Sequence, residues 1–231
     1  MARFVLVPGA GGASAYWGPV VDELRRRGHE AVAVDLPGAD PDSGLPEYAE
    51  RTRAALGVGP ASVLVAASLG GFTAATLVDS ALVGALVFVN AMIPRPGETA
   101  GEWWAATGSE AARVVAARTA GYGTEFDDET YFAHDVPRTV WESLDPAHAL
   151  EVDTIFGQSC EFAGWPAALP ITVLVGRDDR LFPAEFQRRV ARERLGVDVS
   201  VIPGGHLMAL ANPLGVTAAL ERIGVSVARP G

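Results

Sequence analysis

Short, unbroken apolar runs recur along this chain, each followed by a turn and then by a stretch of helical spacing. FVLV (4–7) leads through PGAGGASAYW into GPVVDELRRRG. EAVAVDLPG (30–38) precedes a helical pattern over 46–57. ASVLVAA (61–67) is followed by the helix-like LGGFTAATLVDSA, and GALVFVNA (84–91) is a fourth run. PITVLVG (170–176) and VDVSVIPGG (197–205) are separated by the helical PAEFQRRVARERLG. Apolar runs without alternation mark strands buried on both faces. Strands that alternate with helices build a parallel sheet through right-handed crossovers. The expected class is therefore α/β, with about six mostly parallel strands and helices on both faces.

Residues 92–166 break that rhythm. They hold 10 of the 18 aromatic side chains, among them Trp103, Trp104, Tyr131, Phe132 and Trp141. A connection of this length inside a compact domain usually carries function. It reads as an inserted helical lid over an apolar pocket, with 1–91 and 167–231 forming the core. Its acidic stretch EFDDETYFAHD (125–135) reads as a solvated face of that lid.

Composition removes several chemistries. All 18 basic residues are arginine, so Schiff-base formation, a Ser–Lys dyad and a phosphate-gripping lysine are unavailable. A net charge of −10 disfavours nucleic acid and anionic membrane surfaces as partners. The single cysteine, Cys160, rules out an internal disulfide and a cysteine metal cluster. The apolar run near the amino terminus ends at Pro8-Gly9, too short for a secretory signal, and no segment has the length of a membrane span. The expectation is a soluble cytoplasmic protein without metal or cofactor.

Strand ends are where open α/β sheets collect reactive groups. Ser68 follows the third run and precedes a helix, with small neighbours at Ala66, Gly70 and Gly71. A sharp elbow presenting a nucleophile requires such neighbours. Asp178 and Asp179 follow the fifth run, and His206 follows the sixth. The order Ser68, Asp179, His206 is that of a nucleophile–acid–base triad, in which histidine takes the serine proton and aspartate holds the histidine tautomer. Backbone N–H groups of Ala10 and Leu69 are candidate oxyanion donors. The glycines of PGAGG, with Asp35 ending the next run, also invite a dinucleotide reading. However, G-x-G-G lacks the full G-x-G-x-x-G spacing and leaves the other strand ends unexplained.

With these motifs in place, the chain resembles the α/β-hydrolase superfamily over essentially its whole length. ALVFVNAMIPRPGE is similar to the entry into the lid in the branch containing plant methylesterases and hydroxynitrile lyases. The resemblance implies a cofactor-independent serine hydrolase acting on an ester or related acyl bond of a small, fairly apolar molecule. Acyl transfer by the same triad and non-catalytic binding of a small molecule are the alternatives. The spacing G-x-x-D-x-x-x-P is matched by Gly176, Asp179 and Pro183, which favours Asp179 over Asp178 as the acid. Some relatives carry the acid after the preceding strand, where this chain has the uncharged Asn90. The family's His-Gly in the oxyanion loop is Pro8-Gly9 here, and the elbow's first glycine is Ala66. The lyases' lid lysine has no counterpart. Trp17, Trp103 and Trp104 are candidate substrate contacts; His134 and His148 are weaker ones. His29 reads as a turn residue and Cys160 as a buried or partly buried thiol. Oligomeric state is not readable.

Overall fold

In the computed structural model, residues 1–144 and 151–227 are described. Six parallel strands form one sheet in the order β2-β1-β3-β4-β5-β6. They are β1 (Arg3–Val7), β2 (Glu30–Ala33), β3 (Ser62–Ala67), β4 (Val83–Val89), β5 (Ile171–Gly176) and β6 (Val199–Ile202). Each coincides with an apolar run.

The pleat sends alternate side chains to opposite faces. Val5, Val7, Leu64, Ala66, Leu86 and Phe88 join one core with α2 (Leu45–Leu56), α3 (Gly70–Ala75) and α8 (Ala184–Leu195). Phe4, Leu6, Val63, Val65, Val87 and Val89 face the other core, made with α1 (Gly18–Arg26), α9 (Met208–Ala211) and α10 (Pro213–Val227). The central strands β1, β3 and β4, covered on both faces, are apolar nearly throughout, whereas the edge strand β6 alternates and leaves Ser200 and Val201 exposed.

α3 is shorter than its spacing predicts. After Ala75 the backbone bonds tighten to three-residue steps, Leu77 N to Ala74 O at 3.0 Å and Ser80 N to Leu77 O at 3.0 Å. β-Branched Thr73, Thr76 and Val78 crowd this stretch and weaken a regular helix.

Residues 92–166 leave the sheet after β4 and return at β5. They contain α4 (Ala100–Thr107), α5 (Ser109–Ala120), a π-helical turn (Glu129–Ala133), α6 (Arg138–Trp141) and α7 (Thr154–Gly157). α4 starts with a capping box in which Thr99 and Glu102 bond each other's backbone N–H groups. No helix among the described residues is long and apolar enough to cross a membrane.

Candidate active site

Ser68 stands between β3 and α3 with φ +48°. This left-handed conformation is strained for a residue with a Cβ. Several close contacts hold it. The Ser68 carbonyl accepts the N–H of Gly71 at 3.2 Å and of Met92 at 2.9 Å. A Cβ at Gly70 would lie 2.3 Å from the Pro8 carbonyl oxygen, and one at Gly71 would lie 1.9 Å from that of Met92. The glycine pair after the serine therefore lets the elbow press against two neighbouring loops. Ala66, at the family's glycine position, is fully buried within β3, ahead of the strained residue.

From the β6–α9 loop, His206 reaches across with its ring 3% exposed. Its Nε2 lies 3.1 Å from Ser68 Oγ and its Nδ1 lies 3.0 Å from Asp179 Oδ2. The other Asp179 oxygen accepts the N–H groups of Leu181 and Phe182, both at 2.9 Å. These two donors fix the plane of the carboxylate. Asp178 is exposed and pairs with Arg177 at 3.1 Å, a contact that lowers its carboxyl below the ordinary range. Of the two aspartates, it is Asp179 that touches the histidine.

The loop after β1 runs beside the serine. A Cβ on Gly9 would sit 2.7 Å from Ser68 Cβ, so only glycine allows this approach. Ala10, the next residue, is exposed, while Leu69 is buried at the mouth of α3. Gly12, at φ +71°, would drive a Cβ to 2.3 Å from the Leu36 carbonyl oxygen. Asp35 accepts the N–H of Ser14 at 3.1 Å. In this fold the glycines of PGAGG thus serve close packing between loops. Among the described residues no three His, Cys, Asp or Glu side chains are grouped to hold a metal ion.

A matching family profile completes these observations: that of the alpha/beta hydrolase family, over residues 4–220. The chain belongs to the alpha/beta hydrolase family. Among individual proteins, Methylesterase 18 of Arabidopsis thaliana is 37% identical over 107 residues, 41% of this chain and 41% of that protein. The match thus spans about two fifths of that relative's length. Among solved structures, a pyrethroid hydrolase from Sphingobium faniae JZ-2 superposes with a TM-score of 0.77 at 21% identity, covering 98% of both chains. Polyneuridine aldehyde esterase superposes with a TM-score of 0.74 at 20% identity, over 96% of this chain and 99% of that one. At these identities the superpositions establish the hydrolase fold.

The three tryptophans separate. Trp17 is fully buried in the core formed with α1 and α10, so its ring has no surface to offer a ligand. It precedes α1 and packs that helix against the sheet. Trp103 is likewise 1% exposed, with its indole N–H on the Ile93 carbonyl at 3.1 Å. Trp104 stays partly exposed and packs on Phe182, ring centroids 5.5 Å apart.

Two contacts to His206 had no signal in the motif pattern. Phe132 and Phe182 lie 5.3 and 5.1 Å from its ring. Phe132 belongs to EFDDETYFAHD, which is only half solvated. Residues 125–129 are exposed, whereas Tyr131 is fully buried and Asp135 Oδ2 accepts the Gly205 N–H at 2.5 Å. The π-helical turn rotates the aromatic half inward, which a count of acidic residues does not reveal. His134 lies beside Asp135, and burial lowers its imidazole pKa. His148 lies outside the described residues. His29 bridges the amino-terminal strand and α10, accepting the Ala2 N–H at 3.2 Å and meeting Glu221 at 3.3 Å. Cys160 is fully buried and burial pushes its thiol up to about 12.

Proposed function

We propose that this alpha/beta hydrolase cleaves an ester or related acyl bond of a small, largely apolar molecule through an acyl-enzyme on Ser68. The observation that carries this reading is the continuous chain of contacts from Ser68 Oγ to His206 Nε2 and from His206 Nδ1 to Asp179 Oδ2, at 3.1 and 3.0 Å. As Ser68 Oγ attacks the carbonyl carbon, His206 Nε2 takes its proton. Asp179 accepts the Nδ1–H, holds the tautomer and stabilises the imidazolium. The N–H groups of Ala10 and Leu69 receive the negative charge of the tetrahedral oxygen. His206 then returns the proton to the leaving oxygen, and the same base activates water to release the acid and restore Ser68.

Phe132, partly exposed, packs on the histidine ring, and Trp104, also partly exposed, packs on the buried Phe182 behind that ring, an aromatic surround that suits an apolar substrate. In this reading residues 92–166 act as a lid, and Trp104 rather than Trp17 or Trp103 meets the substrate. The names of the matched proteins, a methylesterase, a pyrethroid hydrolase and an esterase, support ester chemistry as the class.

Intact-mass analysis after exposure to a fluorophosphonate tests the proposal on wild type and Ser68→Ala. One adduct on wild type and none on the variant is the expected result. Folded wild type without an adduct would overturn the nucleophile assignment. With a substrate in hand, product analysis in water containing a competing alcohol separates hydrolysis from acyl transfer.

A further inference from the structure

Asn90 shares an unusual backbone with Ser68. These are the two non-glycine residues with positive φ among those described, +45° and +48°. Strain of this kind persists where the surroundings over-determine a conformation. Asn90 follows β4 and is 1% exposed. Its Nδ2 donates to the Gly205 carbonyl at 2.8 Å and the His206 carbonyl at 3.1 Å. Its Oδ1 accepts the Gly176 N–H at 2.7 Å and Gln187 Nε2 at 3.2 Å. Two carbonyls on one side and an amide N–H on the other dictate which end of the side chain is oxygen.

Gln187, on α8, is 4% exposed and continues the network. Its two Nε2 hydrogens are shared among Asn90 Oδ1, the Phe182 carbonyl at 2.6 Å and Asp179 Oδ2 at 3.1 Å. Asp179 Oδ2 is the oxygen that receives His206 Nδ1. Two neutral amides thereby join the carboxyl ends of β4, β5 and β6, where the acid and the base reside. An aspartate in place of Asn90 would set a carboxylate oxygen against two carbonyls, so the site is built for an amide.

We propose that Asn90 and Gln187 are positioning residues for the Asp179–His206 pair. Asn90 fixes the backbone that carries His206. Gln187 shares Asp179 Oδ2 with the histidine and so sets the direction and strength of that hydrogen bond. The kinetic consequence rests on the triad reading above; the hydrogen bond itself does not.

The test uses the hydrogen-bonded Nδ1 proton of His206, observed far downfield by proton NMR and assigned by its loss in His206→Gln. Gln187→Met keeps the length of the side chain and removes the donor. Asp179 Oδ2 then accepts one N–H fewer, its bond to His206 strengthens, and the resonance moves further downfield. Fluorophosphonate labelling of Ser68 nonetheless slows about tenfold, the scale of one hydrogen bond to a charged group, because the carboxylate loses the donor that aims it and the imidazole turns away from Ser68 Oγ. Asn90→Gly keeps the positive φ without strain while deleting both bonds to the 205–206 carbonyls, and the resonance broadens as the ring loosens. Unchanged resonances and labelling rates in the two folded variants would overturn the proposal, as would a wild type with no downfield proton. A resonance that responds as expected in a protein that never labels at Ser68 would uphold the clamp and refute the acyl-enzyme.

Discussion

Asp178 and Asp179 are adjacent in sequence and opposite in circumstance. Asp179 is 5% exposed and has donors on both oxygens, whereas Asp178 faces solvent beside Arg177. Replacing Asp179 with asparagine removes the charge that steadies the imidazolium and offers an N–H₂ that favours the wrong tautomer. We expect Asp179→Asn to lower turnover by roughly 10⁴-fold, the loss seen when a triad aspartate becomes asparagine. Asp178→Asn, which exchanges a surface ion pair for a neutral amide, should leave turnover near wild type, since exposed pairs contribute about 0–1 kcal/mol. Initial rates on an activated ester, at matched folded concentration, decide the matter. Similar losses in both variants would overturn the assignment. The spacing from Gly176 to Pro183 already favours Asp179 in the bare sequence. Asn90 is marked there only as an uncharged residue after the fourth run, and Gln187 not at all, because a buried amide network has neither period nor charge to mark it.

Secondary-structure elements divide by the same criterion. The central strands are legible because parallel strands covered on both faces are apolar nearly throughout, whereas the edge strand β6 shows through its alternating Val199, Ser200 and Val201. α8 is legible because Phe186, Val190 and Ala191 recur at helical intervals on its buried side. The elements of 92–166 are not, since their aromatics pack on one another and on scattered parts of the core, Trp165 on Phe88 of β4 and Trp103 on Phe186 of α8, so no single period marks them. The π-helical turn at Glu129–Ala133 is the consequential case. It brings Phe132 to the His206 ring and leads into Asp135, whose carboxylate takes the Gly205 N–H immediately before the histidine. This contact lets an element of 92–166 brace the loop that carries His206, the proposed base. Asp135→Ala leaves the Gly205 N–H without its acceptor and should slow Ser68 labelling about tenfold, in line with one charge-assisted hydrogen bond. Asp135→Asn, whose amide oxygen still accepts that N–H, should recover most of the rate. Failure of asparagine to rescue would mean that the charge, rather than the brace, matters.

At the scale of the whole molecule, the segment 92–166 is tied to the core at the two loops proposed to carry the base and the oxyanion donor, far apart in sequence. One tie is Asp135 to Gly205. The other is Glu151, whose Oε2 accepts the Gly11 N–H at 2.8 Å and whose Oε1 accepts the Tyr48 hydroxyl at 2.5 Å. Gly11 adjoins Ala10, so this tie ends on the proposed oxyanion loop. Val152 N–H to the Gly38 carbonyl, 2.9 Å, reinforces it. Burial raises the Glu151 carboxyl above the ordinary glutamate range, opposed in part by the two donors. The folded protein therefore holds this proton at pH values where the unfolded chain has released it. Stability contributed by Glu151 is present below the unfolded-state pKa, about 4.3 for a glutamate, and is lost as pH rises through the folded one. Glu151→Gln keeps an oxygen for Gly11 and an amide for the Tyr48 oxygen but does not titrate, so its lost or altered bonds offset stability equally at every pH. Urea unfolding of both proteins from acid to neutral pH should show wild type losing ground to Glu151→Gln as pH rises across that window. A difference that stays constant, or moves the other way, would mean that Glu151 ionises in the folded protein as readily as in water, and the tie between insertion and oxyanion loop would then be a solvent-exposed contact of little weight.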